Sequence, residues 1–264
     1  SFDSDGFTVN TDGGVNGSGQ TYASWNWLGA NGTASNTDGD ITSSVSANTT
    51  AGFSIVSFTG NGSSDQQVGH GLATTPTCYI TKDRTNGSTN WHYHTTQIDG
   101  GMDYAFLNAT NAFSSSSLST PSSTTIRVGG TINTSSANFI SYVFAEKKGF
   151  SKFGSYTGNG TSGVDGAGDG TFVYTGFKPS MIIIKPSSAV ENWQILDNKR
   201  PGFNESDNLA PNNNAVENTS NDFVDLVSNG FKLRSGTYSA SGVTYIYMAF
   251  AEEPLVANVG ASIP

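Results

Sequence analysis

Phe58-Thr59-Gly60-Asn61-Gly62-Ser63 returns later in the chain as Tyr156-Thr157-Gly158-Asn159-Gly160-Thr161. Three more landmarks recur in the same order. Asn90-Trp91 returns as Asn192-Trp193, and Phe144-Ala145-Glu146 returns as Phe250-Ala251-Glu252. Pro76, before an apolar run, returns as Pro179 before Met181-Ile182-Ile183-Ile184. The offsets lie between 98 and 106 residues. Self-similarity at one period is the signature of a repeat architecture. It reads as two copies of one unit, over 51–148 and 149–255, with a tail at 256–264. The period is too long for a solenoid and suits a small β-domain used in tandem.

A partial third copy opens the chain. Asp5-Gly6-Phe7-Thr8-Val9 resembles Asn229-Gly230-Phe231-Lys232-Leu233, and Thr21–Trp27 stands where Thr244–Phe250 stands later. Residues 1–28 therefore read as the last hairpin of a preceding unit, and the Gly/Ser/Thr/Asn-rich stretch 29–50 as a linker with a short strand at 41–45. An orphan hairpin is marginal alone. It is expected to pair with a neighbouring subunit or a sheet edge of this chain.

Working outward, short apolar runs at 52–58, 77–82, 103–107, 124–128, 137–146, 171–175, 180–185, 230–234 and 243–252 alternate with Asn-Gly, Asp-Gly and Ser-Gly turns. No window sustains helical periodicity, and residues 222–227 fit a helical turn or a strand equally. The expected fold is all-β: two tandem β-sandwich-like domains with an N-terminal hairpin and linker. On the last strand of each unit, Trp25 and Trp27 align with Tyr142 and Phe144, then with Met248 and Phe250. Alternation assigns these rings to two separate domain interiors. It turns Phe139, Val143, Tyr245 and Tyr247 outward, as candidate subunit contacts.

Composition narrows the function classes. Only 12% of the 264 residues are charged and 35% are apolar, with 32 glycines, which argues against helical bundles. Acidic residues number 21 against 12 basic, for a net charge of −9. Nucleic-acid binding needs a basic face and is not expected. No apolar run reaches 18 residues, so no membrane insertion is expected. Cys78 is the single cysteine and permits no internal disulfide. The chain opens on neither a methionine nor a signal-like segment, which suggests a processed product or part of a longer protein.

Motifs for catalysis are weak. His92 and His94 lie two apart on an expected strand, a spacing that could hold a metal, but the second copy has Gln194 and Leu196 there. The pair reads as solvent-facing or hydrogen-bonding imidazoles. Val164–Gly170, with Asp165 and Asp169, resembles a loose calcium loop without the ligand count of a true one, and reads as a turn. Glu146 and Glu252 are equivalent strand ends of two units, not a paired acid and nucleophile. Neither a nucleophile elbow nor a phosphate loop is present. No cofactor, no metal site and no enzyme activity are expected. Trp91-His92-Tyr93-His94 and Trp193 are candidate glycan or partner contacts, since aromatic faces suit sugar rings. A tryptophan kept in both copies reads first as a core residue. The polar stretches 111–123 and 202–221 are loops suited to variable contacts.

Five phrases carry a resemblance: Gly52–Val56, Val68-Gly69-His70-Gly71-Leu72, Gly149–Gly160, Ser228–Arg234 and Tyr247–Glu252. They resemble the repeated C-terminal region of large virion structural proteins of marine tailed bacteriophages, where it often follows a SPRY-like domain. The resemblance covers nearly the whole chain, which lacks that upstream domain and starts inside a repeat. It implies a non-enzymatic fibre, tail or head-decoration protein located in the virion, contributing to host attachment. Its implied partners are other virion proteins, its own copies (a trimer) and a host surface glycan. It transfers no site residue. A secreted carbohydrate-binding module or bacterial adhesin is the alternative that composition equally allows, and a polysaccharide-degrading enzyme would need two convergent acids.

Overall fold

The structure is a computed structural model that describes residues 3, 6–161, 169–200, 207–219 and 222–251. The repeated phrase has a structural reason. Gly60 and Gly158 each run so close to a neighbouring turn that a Cβ would meet the Thr134 or Ala240 carbonyl at 2.3 and 2.2 Å. Gly62 and Gly160 adopt φ of 79° and 77°, which glycine reaches freely. Between them, Asn61 and Asn159 cap the turn by accepting from the Ser63 and Thr161 N–H groups. Asn133 Nδ2 donates to Asn61 Oδ1, and Ser239 Oγ donates to Asn159 Oδ1. The phrase is a clasp that ties the first strand of each copy to the turn before its last strand.

The strands of the first half are β1 (Ala34–Asn36), β2 (Ser43–Asn48), β3 (Phe53–Thr59), β4 (Gln66–Gly69), β5 (Cys78–Asp83), β6 (His92–Thr95), β7 (Asp103–Phe106), β8 (Ser114–Ser115), β9 (Thr125–Val128) and β10 (Asn138–Phe144). Those of the second are β11 (Ser151–Thr157), β12 (Phe172–Tyr174), β13 (Pro179–Pro186), β14 (Gln194–Asp197), β15 (Asn208–Leu209), β16 (Val224–Val227), β17 (Gly230–Leu233) and β18 (Thr244–Ala251). The fold is all-β and sandwich-like. One large sheet runs β1-β2-β3-β10-β5-β6-β7-β8, the other β11-β18-β13-β14-β15. The order β3-β10-β5-β6-β7 thus recurs as β11-β18-β13-β14-β15. Each large sheet faces a small one, β4-β9 in the first half and β12-β17-β16 in the second. Residues 222–227, ambiguous in sequence, contain strand β16.

Three apolar cores separate these layers. Val56, Phe58, Val68, Ile126, Phe139 and Val143 fill the space between the first large sheet and β4-β9. Ile182, Ile184, Leu196, Phe231, Tyr245 and Tyr247 fill the space between the second and its small sheet. The third core lies between the two large sheets, where Phe53, Tyr93 and Phe144 meet Phe153, Trp193, Met248 and Phe250.

This arrangement corrects two expectations. Phe139, Val143, Tyr245 and Tyr247 are not subunit contacts; they are at most 3% exposed and fill the two sandwich interiors. The rings assigned to two separate interiors share one. Trp27 lies 6.2 Å from Phe144 and 5.2 Å from Phe250, and those two lie 6.1 Å apart. Because β10 and β18 are buried on both faces, alternation separates their faces without saying which one looks inward.

The expected N-terminal hairpin is also corrected. Among the described residues, 1–28 contain the short helix α1 (Gly13–Asn16) and no strand. The reason lies in the complete copies: β17 and β18, like β9 and β10, belong to opposite sheets, so their counterparts in 1–28 have no tendency to pair with each other. The strands that extend the sheet edge come from the stretch read as a linker. β2 pairs with β3 in register Val45–Val56, and β1 pairs with β2. The tail 256–264 lies outside the described residues.

The halves are also joined by hydrogen bonds. Trp193 Nε1 donates to the Phe106 carbonyl at 2.9 Å, Phe113 N–H to the Ser187 carbonyl, and Glu191 N–H to the Thr110 carbonyl. Removing a ring from the shared core loses packing on both sides. Phe144→Ala and Phe250→Ala are each expected to cost about 3–5 kcal/mol. Denaturant titration followed by tryptophan fluorescence should show one transition shifted as a whole in both variants. Separate transitions for the two halves would contradict the shared core.

Candidate functional site: an aromatic-floored pocket in the first half

Antiparallel pairing of β5, β6 and β7 aligns side chains in rows across the sheet. Tyr79 stands opposite His94, and His94 opposite Tyr104; in the next row His92 stands opposite Phe106. The Tyr79 and His94 rings stack at 4.9 Å, and His94 and Tyr104 at 5.8 Å. His92 lies edge-on to Phe106 at 4.9 Å. The small sheet β4-β9 covers only part of this face. His92, His94, Tyr104 and Phe106 therefore form the floor of an open cavity of about 490 Å3.

The walls are polar. Ser64 and Asp65 come from the turn before β4, Ser116–Leu118 from the loop after β8, and Gly129–Ile132 from the turn after β9. Asp65 sits at φ 50°. Its carboxylate accepts from Ser119 N–H at 2.8 Å and Ser119 Oγ at 2.6 Å, and Arg127 lies 3.8 Å away. Burial pushes the Asp65 pKa up, but the Ser119 bonds and the Arg127 charge outweigh it and hold the group below the ordinary carboxylate range. Thr131 Oγ1 reaches His92 Nε2 at 3.4 Å.

Burial sets the charge of the floor. It lowers His92 to about 4, helped by the Lys82 charge, and His94 to about 3, helped by His92. Both imidazoles are neutral at pH 7. His94 Nδ1 is buried without a partner. The floor thus presents uncharged aromatic faces ringed by hydroxyls and a fixed carboxylate. Stacking on an apolar ring face while hydrogen-bonding its edge is what these groups can do. Among the described residues, Asp65 is the one carboxylate lining the cavity, whereas glycoside cleavage uses a pair. Among the described residues, no group of three His, Cys, Asp or Glu converges to hold a metal. Most of the candidate calcium loop, residues 164–168 with Asp165, lies outside the described residues.

The structure splits the expected contact strip. His92 and His94 line the cavity. Tyr93 points through the sheet into the central core, 1% exposed. Trp91 is half-buried over Tyr142 on that same side. Trp193 is no glycan contact: it is fully buried, with its indole N–H spent on Phe106. Strand alternation dictates this, because neighbours in sequence face opposite sides. Tyr104 and Phe106 were missed as site residues. Their alternation in Asp103-Tyr104-Ala105-Phe106 was visible, but their register with His92 and His94 was not.

Among the described residues, the second half has no equivalent floor. Gln194 and Leu196 replace His92 and His94, Asn208 replaces Tyr104, and Asn208 Nδ2 donates to Gln194 Oε1. Strand β16 adds to the small sheet there, burying Val224 and Leu226. The corresponding stretch of the first half, Ser119-Thr120-Pro121-Ser122, forms no strand. Pro121 cannot donate to a ladder.

The buried imidazoles carry a pH signature. Their pKa values are about 6.5 unfolded and lower when folded, so the unfolded state binds more protons below pH 6.5. Stability should be complete above pH 6.5 and fall as pH drops toward 4, by up to about 1.4 kcal/mol per pH unit for each histidine. His94→Leu, the residue type of the second half, should flatten that slope in denaturant titrations between pH 7 and 4. An unchanged slope would show that His94 is not the titrating group.

Comparison with known proteins gives one family. No curated protein and no solved structure matches the chain. Residues 1–254 match the family described as a domain of unknown function, DUF7483. With nearly the whole chain matched, the protein belongs to that family.

Proposed function

We propose that this protein is a non-enzymatic structural component of a tailed-phage particle that contributes to host-surface attachment, and that the pocket in its first half takes a glycan. The carrying observation is the floor of His92, His94, Tyr104 and Phe106, neutral and aromatic, beside the fixed carboxylate of Asp65. A pyranose ring has C–H faces that suit such a floor and hydroxyl edges that suit Asp65, Ser64 and Thr131. The layered β-scaffold supports the reading, because few charges and tight Gly/Asn turns suit an exposed, rigid particle component. So does the resemblance of the five phrases to those of phage virion proteins.

The same pocket would serve a secreted carbohydrate-binding module or bacterial adhesin, and the floor supports that second reading equally. The trimer expected from the sequence loses its assigned contacts, since all four residues lie inside the sandwiches.

A glycan array, followed by calorimetry on any hit, tests the proposal. Tyr104→Ala should weaken binding at least tenfold, about 1.4 kcal/mol. Tyr174→Ala, an exposed ring on β12 of the other half, should leave it unchanged. Absence of binding to host-surface polysaccharide, or equal binding by both variants, would remove the pocket from the proposal.

A further inference from the structure

Residues 12–28 reproduce, feature by feature, the end of each complete repeat. Helix α1 stands where the 3-10 turns Gly130–Ile132 and Gly236–Tyr238 stand. Asp12 caps it by accepting from Gly14 N–H, as Ser235 accepts from Thr237 N–H. Gly19, Ser136 and Gly242 occupy one position, and all have positive φ, at 73°, 64° and 73°. Tyr22 Oη accepts from Gly17 N–H and donates to the Gly13 carbonyl; Tyr245 Oη accepts from Ala240 N–H and donates to the Thr237 carbonyl.

The inner face of this segment is placed as in the repeats. Trp27 closes a near-equilateral triangle with Phe144 and Phe250, its counterparts on β10 and β18. Arg200 lies over the Trp25 ring at 5.8 Å. The outer face is the exception. Tyr22 is 51% exposed where Phe139 and Tyr245 are buried, and Val15 is 52% exposed where Ile132 and Tyr238 are buried. Phe7 is likewise exposed where Ile126 and Phe231 are buried. Among the described residues no ladder pairs 21–28, although β10 and β18 each lie between two strands.

We propose that residues 6–28 are a docking surface for a third, incomplete β-unit, equivalent to β3–β8 and lying upstream in the same polypeptide, which takes 21–28 between its first two large-sheet strands, the place of β10 and β18. The order follows from the complete copies: β3 and β5 precede β10, and β11 and β13 precede β18. A second copy of this chain offers no vacancy, because the place between the first two strands of each repeat is already filled by β10 or β18. Three units would then surround the Trp27–Phe144–Phe250 triangle. The reading is independent of the glycan pocket.

The test adds that unit to the full chain. A copy of residues 51–122, which carries β3–β8, is placed directly before Ser4. Amide hydrogen exchange at 21–28 should slow on the order of 100-fold relative to the parent chain. Tyr22→Asp should abolish the slowing in the fusion; in the parent it removes only the two exposed turn hydrogen bonds of its hydroxyl and should leave the main unfolding transition of β1–β18 in place. A control fusion carrying residues 51–145, with its own last strand, should fold without slowing exchange at 21–28. Exchange in the 51–122 fusion that matches the parent, or insolubility of that fusion beside a soluble control, overturns the proposal. So does sedimentation showing that the parent dimerises through this face and that Tyr22→Asp dissociates it.

Discussion

The structure depends on burying both faces of β10 and β18. Each is the second strand from one end of its half's repeated order, and each carries side chains into two cores at once. Val143 and Tyr247 fill sandwich interiors, while Phe144 and Phe250 meet between the large sheets. A strand buried on both sides reads as a nearly continuous apolar run, as Thr244-Tyr245-Ile246-Tyr247-Met248-Ala249-Phe250-Ala251 does. The two halves thus share an interior and cannot lose it singly. Even backbone detail bends to this packing: a Cβ on Gly154 would lie 2.9 Å from the Tyr247 hydroxyl oxygen.

The duplication was legible because its marks are backbone requirements. Gly60 and Gly158 must lack a side chain where two turns touch, and Gly62 and Gly160 must reach positive φ; few substitutions satisfy either demand. Facing was not legible. Period-two alternation separates Ser141 and Val143 from Tyr142 and Phe144, but with apolar groups on both sides it does not say which set faces the small sheet. Pairing was equally hidden. The cluster of His92, His94, Tyr104 and Phe106 exists through the register of β6 on β7, set by a turn and loop whose sequence does not encode the alignment. The hairpin expected at 1–28 is absent among the described residues on the same ground, since adjacency in sequence is not adjacency in a sheet.

Divergence between the halves explains why one of them carries a pocket. Both inherit the same five-strand order. In the second, β16 extends the small sheet and the Asn208–Gln194 bond closes the floor. In the first, Pro121 withholds a donor at the corresponding stretch, and the floor stays open to solvent. Opening it has a physical cost that remains visible: His94 is buried with an unpartnered Nδ1, and the neighbouring imidazole is held neutral by burial. In a fold built from two equivalent sandwiches, one copy can carry that cost while the other stays sealed.

The N-terminal segment shows what anchors an extended chain without a ladder. Trp25 and Trp27 enter the central core, and Asn48 and Ser46 donate side-chain hydrogen bonds to the Leu28 and Ala30 carbonyls. Those contacts bind one face and leave the backbone of 21–28 outside any sheet. An open edge of this kind favours pairing with any strand of matching length, which natural sheets counter with polar or charged groups. Here Ser24 and Asn26 stand between Tyr22 and Leu28 on the outward face. Ser24 has a precedent in Ser141, which is fully buried on β10 against the Thr81 hydroxyl at 2.7 Å. A polar residue on this face is therefore compatible with burial in a sandwich of this type, provided that the partner strand offers a hydroxyl at the facing position. Asn26, standing where the copies have Val143 and Ala249, makes the stricter demand: any sheet that accepts this strand must supply it with hydrogen-bond partners.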